Sequence, residues 1–177
     1  LHFVRSALGT QTSPPNQVLI GIALFLTLFI MAPVMTQINK DCIQPYDKGK
    51  LTQEEALNAG LKPIRKFMFE QTNRKDIRLF MEIEKKSNDV SIEKEDEIPT
   101  LVLIPAFMIS ELRIAFIIGF LIYLPFIVID MVVASTLMSM GMMMLPPTTI
   151  SMPFKILLFV LADGWNLVIG QLVKTFY

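Results

Sequence analysis

Six ionisable side chains interrupt the final 77 residues of this chain, which carry no other charge: Glu111, Arg113, Asp130, Lys155, Asp163 and Lys174. The chemistry open to them is ion pairing, because an ionisable group at membrane depth is costly unless it is paired or serves a function. Enzyme chemistry finds little purchase. The only histidine is His2 and the only cysteine is Cys42, so the chain holds no thiol–imidazole pair, no cluster of metal ligands and no intramolecular disulfide. It also lacks a glycine-rich phosphate loop. No catalytic activity, metal or cofactor is expected, and a lone cysteine leaves the redox compartment open.

A second constellation is made of sulfur. Five methionines fall within seven residues, at Met138, Met140, Met142, Met143 and Met144, just before Pro146-Pro147 and between two long apolar segments. Methionine is unbranched and polarizable, so this cluster is either a soft seal that reshapes around whatever passes or flexible filler in an ordinary core.

The elements that must position these groups follow from charge distribution. Hydrophobic residues make up 53% of the chain and charged residues 18%, against about 45–50% and about 25% in soluble domains. Between Lys40 and Ile98 stand 12 basic and 13 acidic side chains, 25 of the 32 charges. The chain is therefore two apolar blocks around one charged, nearly neutral insert. Its net charge of zero argues against nucleic acid and against a polybasic grip on lipid heads.

Val18 to Thr36 is an uncharged run of 19 residues that follows the Pro14-Pro15-Asn16 breaker, close to the roughly 20 needed to cross a bilayer as a helix. A second block runs from Leu101 to Leu145, with Pro105 and Pro125 as expected kinks or breaks, and a third from Ile150 to Phe176. Helices are expected throughout, because an open strand in lipid leaves backbone groups unpaired. The fold class expected is all-α: membrane-associated helical hairpins with a small helical soluble insert. Residues 1–36 form the N-terminal apolar segment, 37–99 the insert, and 100–177 a hairpin carrying the methionine tip. Because the chain begins at Leu1 without the features of a signal peptide, it reads as a fragment or a processed product.

Within the insert, Thr52 followed by Glu55 predicts a capping box, with Leu57, Leu61, Ile64 and Met68 then recurring at helical spacing. Gly60 and Pro63 should bend or restart that helix. A second helix over Arg74 to Lys86 places Ile77, Phe80, Met81 and Glu84 on one face, and the acidic stretch Asp89 to Glu97 reads as a linker. The insert is either a solvated spacer or a docking surface.

An antiparallel hairpin whose turn is centred between Met142 and Met143 sets Asp130 at the depth of Lys155, and Glu111 at the depth of Lys174. At about 1.5 Å per residue the first pair lies roughly 19 Å from the tip, well inside the hydrophobic thickness. Asp130 and Lys155 are expected to bond directly, unless each finds a neighbouring subunit instead. The second pair would lie more than about 45 Å from the tip, where pairing and exposure are both open. Glu111 and Lys174, with Asp163, are thus candidates for inter-subunit or structural charges.

Several long motifs, in order, resemble the FliP family of flagellar type III export gate proteins. They are ALGTQTSPPNQVLIGIALFLTLFIMAP, FMFEQTNRKDIRLF, IPAFMISELRIAFIIGF, YLPFIVIDMVVASTLMSMGMMMLPP and PFKILLFVLADGWNLVIGQLVKTFY. GMMMLPPTTISMPFK and the closing TFY bring the chain nearer the flagellar branch than the injectisome one. It departs at Ile117, where the family usually carries a polar or charged residue. Members usually begin with a cleaved signal peptide and a further apolar helix, here reduced to Leu1 to Val4.

The resemblance implies five copies assembled with FliQ and FliR in the bacterial inner membrane, within the flagellar basal body. FlhB and FlhA would lie nearby, the insert would face the periplasm, and unfolded export substrates would pass through. It further implies that Met142, Met143 and Met144 of each copy form a ring that closes the pore at rest, with Gly141 giving freedom to bend and Pro146-Pro147 ending the tip. An apolar constriction excludes water and ions by dewetting. Trp165 is read as core rather than as an interfacial anchor. Two other classes remain: a structural nucleator of the basal body without a gating role, and a small ion channel or transporter subunit.

Overall fold

The computed structural model of the chain describes residues 1–84, 98–142 and 144–176; Met143 and the acidic stretch expected to be a linker fall outside them. Among the described residues every regular element is helical. The short α1 (His2–Ala7) precedes α2 (Asn16–Ile38), which continues through a π-helical turn at Asn39–Ile43 into α3 (Gln44–Asp47). The insert contributes α4 (Gln53–Gln71) and α5 (Arg74–Ile83), and α6 (Thr100–Ser139), α7 (Pro147–Leu161) and α8 (Gly164–Lys174) complete the chain.

Two stretches, Asn16–Asp47 and Thr100–Ser139, are long and apolar enough to cross a membrane. Their apolar character runs around the whole helix rather than along one stripe, and Leu24, Phe25, Leu28 and Phe29 stand exposed along α2. That is the pattern of a helix solvated by lipid.

Of the kinks or breaks expected at Pro105 and Pro125, and the bend or restart expected at Gly60 and Pro63, the breaks and the restart do not occur. Neither Pro105 nor Pro125 breaks α6, which runs unbroken for 40 residues. Each proline removes one backbone bond, and neighbouring turns keep theirs. Gly60 and Pro63 likewise leave α4 a single helix of 19 residues. The third block, by contrast, is broken: α7 and α8 meet at a bend of 62°, and only jointly have the length and composition of a span. The break falls at Asp163, in the left-handed region with φ 49°, followed by Gly164. A Cβ at Gly164 would run into the Phe159 ring, so the close approach of these two positions needs glycine.

Contacts divide the chain into two compact units, Leu1–Leu28 with Phe116–Tyr177, and Phe29–Ala115. Packing thus groups residues 100–115 with the insert, whereas composition groups them with the hairpin. In the unit holding the insert, Ile77 and Met81 of α5 bury against Ile98 and against Val102, Leu103 and Ala106 of α6. The α4 face differs from the expected stripe: Ala56 and Pro63 are buried while Leu57 and Leu61 stand exposed. In the other unit, Val4, Ala7 and Leu8 bury with Phe126 and Phe159, and Trp165 packs against this cluster, edge-on to Phe159 at 5.4 Å.

Candidate functional site

The methionine tip is the turn between α6 and α7. Helix α6 ends because Gly141 takes φ +73°, with open space where a Cβ would stand. Its N–H donates to the Met138 carbonyl at 3.0 Å, and the Met142 N–H donates to the Leu137 carbonyl at 3.0 Å. This paired wrap satisfies carbonyls that the last helical turn would leave unpaired, and it needs a residue content with a left-handed backbone. Pro146 caps α7 and Pro147 is its first helical residue, where a missing N–H costs nothing. The two prolines therefore start the next helix rather than merely ending the tip. Met144 is 99% exposed and Met142 42% exposed.

Below the tip, α7 places Ser151 and Lys155 one turn apart on the face that meets Asp130 of α6. Lys155 Nζ lies 2.5 Å from Asp130 Oδ2, and the Ser151 hydroxyl donates to Asp130 Oδ1 at 2.5 Å. Both carboxylate oxygens are thus bonded. The Lys155 side chain is 5% exposed and that of Asp130 30%, while Ser151 is fully buried. A charge pair so enclosed ties two helices in one geometry, because separating the partners strands a charge in a medium of low polarity. Sequence reasoning missed Ser151; its spacing four residues before Lys155, one helical turn, is a signal that could have found it.

The remaining charges are placed differently. The depth match of Glu111 with Lys174 presumed a straight third block, and the 62° bend removes that premise. Lys174 lies exposed in the last turn of α8, where a cation complements the helix dipole. Asp163 occupies the N-cap position of α8 without bonding its backbone, and its Oδ2 accepts from the Asn166 side chain at 3.0 Å. Glu111 Oε1 is buried with no hydrogen-bond partner. Ile117 is exposed.

Arg113 finds a partner that no sequence period indicated. It bonds Asp76 of α5 at 2.5 Å, and one turn earlier the buried Ser110 accepts from the Asn73 N–H at 3.0 Å. The ISELR segment therefore fastens α5 to α6. Arg5 is also buried, donating to the Pro14 carbonyl at 3.2 Å and to the Asn16 side chain at 2.6 Å, which pins the loop between α1 and α2. Among the described residues no group of three or more His, Cys, Asp or Glu could hold a metal ion.

A profile of the FliP family matches residues 1–172. The chain is 54% identical over 176 residues to the flagellar biosynthetic protein FliP of Bacillus subtilis, covering 99% of this chain and 78% of that protein. It is 48% identical over 177 residues to the protein of the same name from Pectobacterium carotovorum, covering 100% and 67%. With that from Aquifex aeolicus it shares 47% over 176 residues, covering 99% and 73%. The apolar helices fit a membrane protein of the flagellar apparatus. Matched along nearly its whole length by a family profile and by relatives at about half identity, the chain belongs to the FliP family of flagellar biosynthetic proteins.

Proposed function

We propose that the chain is a pore-forming subunit of the flagellar type III protein export gate, passing unfolded flagellar proteins across the inner membrane. In this reading several copies, five by resemblance, assemble with FliQ and FliR, near FlhB and FlhA, and the insert faces the periplasm. The observation that carries it is the tip itself: an uncharged turn whose methionines project from the packed unit, set on two helices locked by Asp130, Ser151 and Lys155. Met142, Met143 and Met144 from each copy close the pore at rest. Apolar thioethers exclude water when closed and yield to a passing chain without stripping polar groups of their partners. Glu111, with its buried unpartnered oxygen, takes a cation from a neighbouring subunit.

Replacing all three methionines by alanine in the expressed gate is expected to depolarise the cell membrane through an ion leak. An unchanged membrane potential, with the gate present at wild-type level, sinks the seal.

A further inference from the structure

The two helices of the broken third block present different outer surfaces. On α7 the exposed side chains include Phe154, Leu157, Val160 and Leu161, an apolar surface suited to lipid. Helix α8 is two-sided. Trp165 and Val168 pack on the buried cluster of Val4, Phe126 and Phe159, while Asp163, Asn166, Gln171 and Lys174 stand exposed on the opposite side. Those four, with Gly170, line a cavity of about 320 Å³, to which only Ala162 and Leu167 add apolar side chains. Asp163 and Lys174 stand 11 positions apart in sequence, about 16 Å along a helix and too far to pair with each other. Among the described residues neither forms an ion pair, and the Asp163 carboxylate accepts from Asn166.

A backbone break, two unpaired charges and two amides therefore coincide on one face. Helices α7 and α8 reach the length of a span only together, so a crossing by this block carries the break at Asp163 to membrane depth. Non-helical backbone at that depth is tolerated against protein or against water, never against lipid. Ionisable side chains obey the same rule and mark the paths that substrates and ions take. Covering this face with a neighbouring subunit would strip water from both charges and demand a counter-ion for each. A water-filled passage demands neither. We propose, on the export-gate reading, that this face of α8 forms part of the wall of the passage and meets the unfolded polypeptide there. Asn166 and Gln171 each present a donor and an acceptor, as a peptide group does, so they meet any backbone without reading its side chains. One acid and one base leave the face without net charge, so segments of either sign can pass.

The test uses the intact gate complex in lipid nanodiscs, open to reagents from both sides, with Cys42→Ser removing the only thiol of this chain. Asn166→Cys and Gln171→Cys are placed on the wall, and Val160→Cys on the apolar surface of α7. Each is offered a small charged thiosulfonate or a maleimide carried on a folded protein, and modification of this chain is read by mass. A thiol reacts as its thiolate, which water favours and lipid does not, so the small reagent should modify both wall variants at least about tenfold faster than Val160→Cys. The folded carrier, too wide for a passage that admits unfolded chains, should modify none. If Asn166→Cys fails to assemble, since it also loses the bond to Asp163, Gln171→Cys carries the comparison. Wall variants that react no faster than Val160→Cys overturn the inference, because lipid or protein then covers the face. Wall variants open to both reagents also overturn it, because the face is then an outer surface. Conductance of the methionine variant reads the gate separately: a conducting variant whose α8 positions stay unmodified sinks the wall alone, and a silent variant whose α8 positions react with the small reagent sinks the seal alone.

Discussion

Each packed unit holds a partly buried acid–base pair, and the two pairs are opposite in construction. In the tip unit the base is the hidden partner: the Lys155 side chain is 5% exposed and that of Asp130 30%. In the insert unit the acid is hidden, with Asp76 at 3% and Arg113 at 46%. The tip pair is also complete, since Ser151 takes the second Asp130 oxygen, whereas Asp76 Oδ2 is buried without a partner. A buried cation is tolerated where its counter-ion is fully bonded, and a half-bonded buried acid is tolerated where its cation reaches water. The tip pair is consequently the more completely bonded fastening of the two.

This contrast sets which half of each pair matters more. The largest effect is expected for Asp130→Ala, which strands Lys155 without a counter-charge and should cost about 3–5 kcal/mol. Lys155→Met should cost less, because Asp130 keeps Ser151 and some access to solvent. Melting of the purified complex checks the order, and equal losses would erase the asymmetry. The swapped pair, Asp130→Lys with Lys155→Asp, should assemble better than either single exchange.

In the insert unit the order reverses. Arg113→Met leaves the Asp76 carboxylate buried and unpaired, at about 1–3 kcal/mol, while Asp76→Asn leaves a half-exposed guanidinium and should cost less than about 1 kcal/mol. Protease nicking of α4 and α5 reports the result; greater susceptibility for Asp76→Asn than for Arg113→Met contradicts the reading.

Much of this arrangement was legible in the sequence, and the exceptions have physical causes. The Asp130–Lys155 contact followed from a turn position and a helical rise, because two helices joined by a tight turn have few registers. The Thr52–Glu55 capping box followed from a local rule, as did the buried face at Ile77 and Met81. The bend at Asp163 carried a signal that was read only as a family motif: an Asp-Gly pair inside an apolar run marks a turn. Arg113 and Asp76 stand 37 positions apart, and no period links residues at that separation. Prolines mislead in the opposite direction, since a long apolar helix absorbs the loss of one bond at Pro105 or Pro125 without ending.

Smaller effects probe the backbone of each region. Gly141→Ala places a Cβ at φ +73° with no steric obstacle, so only the conformational cost of about 1 kcal/mol is expected. The complex should melt slightly lower, and an unchanged melting temperature would mean that the wrap at the tip is not held. The least effect belongs to Glu55, whose carboxyl is held below its ordinary range first by the Thr52 backbone N–H at 2.8 Å and then by the Thr52 hydroxyl. A carboxylate whose folded-state pKa is depressed stabilises above its unfolded value, near 4.3, and loses that contribution as pH falls through the folded value. Glu55→Gln should thus weaken α4 slightly at pH 7, and the difference from the wild type should shrink as pH falls below the ordinary carboxylate range, as read by hydrogen exchange along α4. A difference that does not shrink as the solution is acidified would remove the charge from the account.

The account rests on the tip as an apolar closure held by a complete ion pair. The most direct measurement is ion conductance of the purified gate complex in a planar bilayer, comparing the wild type with Met142, Met143 and Met144 changed together to alanine. The closure predicts a silent wild type and steady conductance in the variant, with both complexes of the same size. A variant as silent as the wild type, or a wild type that conducts as freely as the variant, would contradict it.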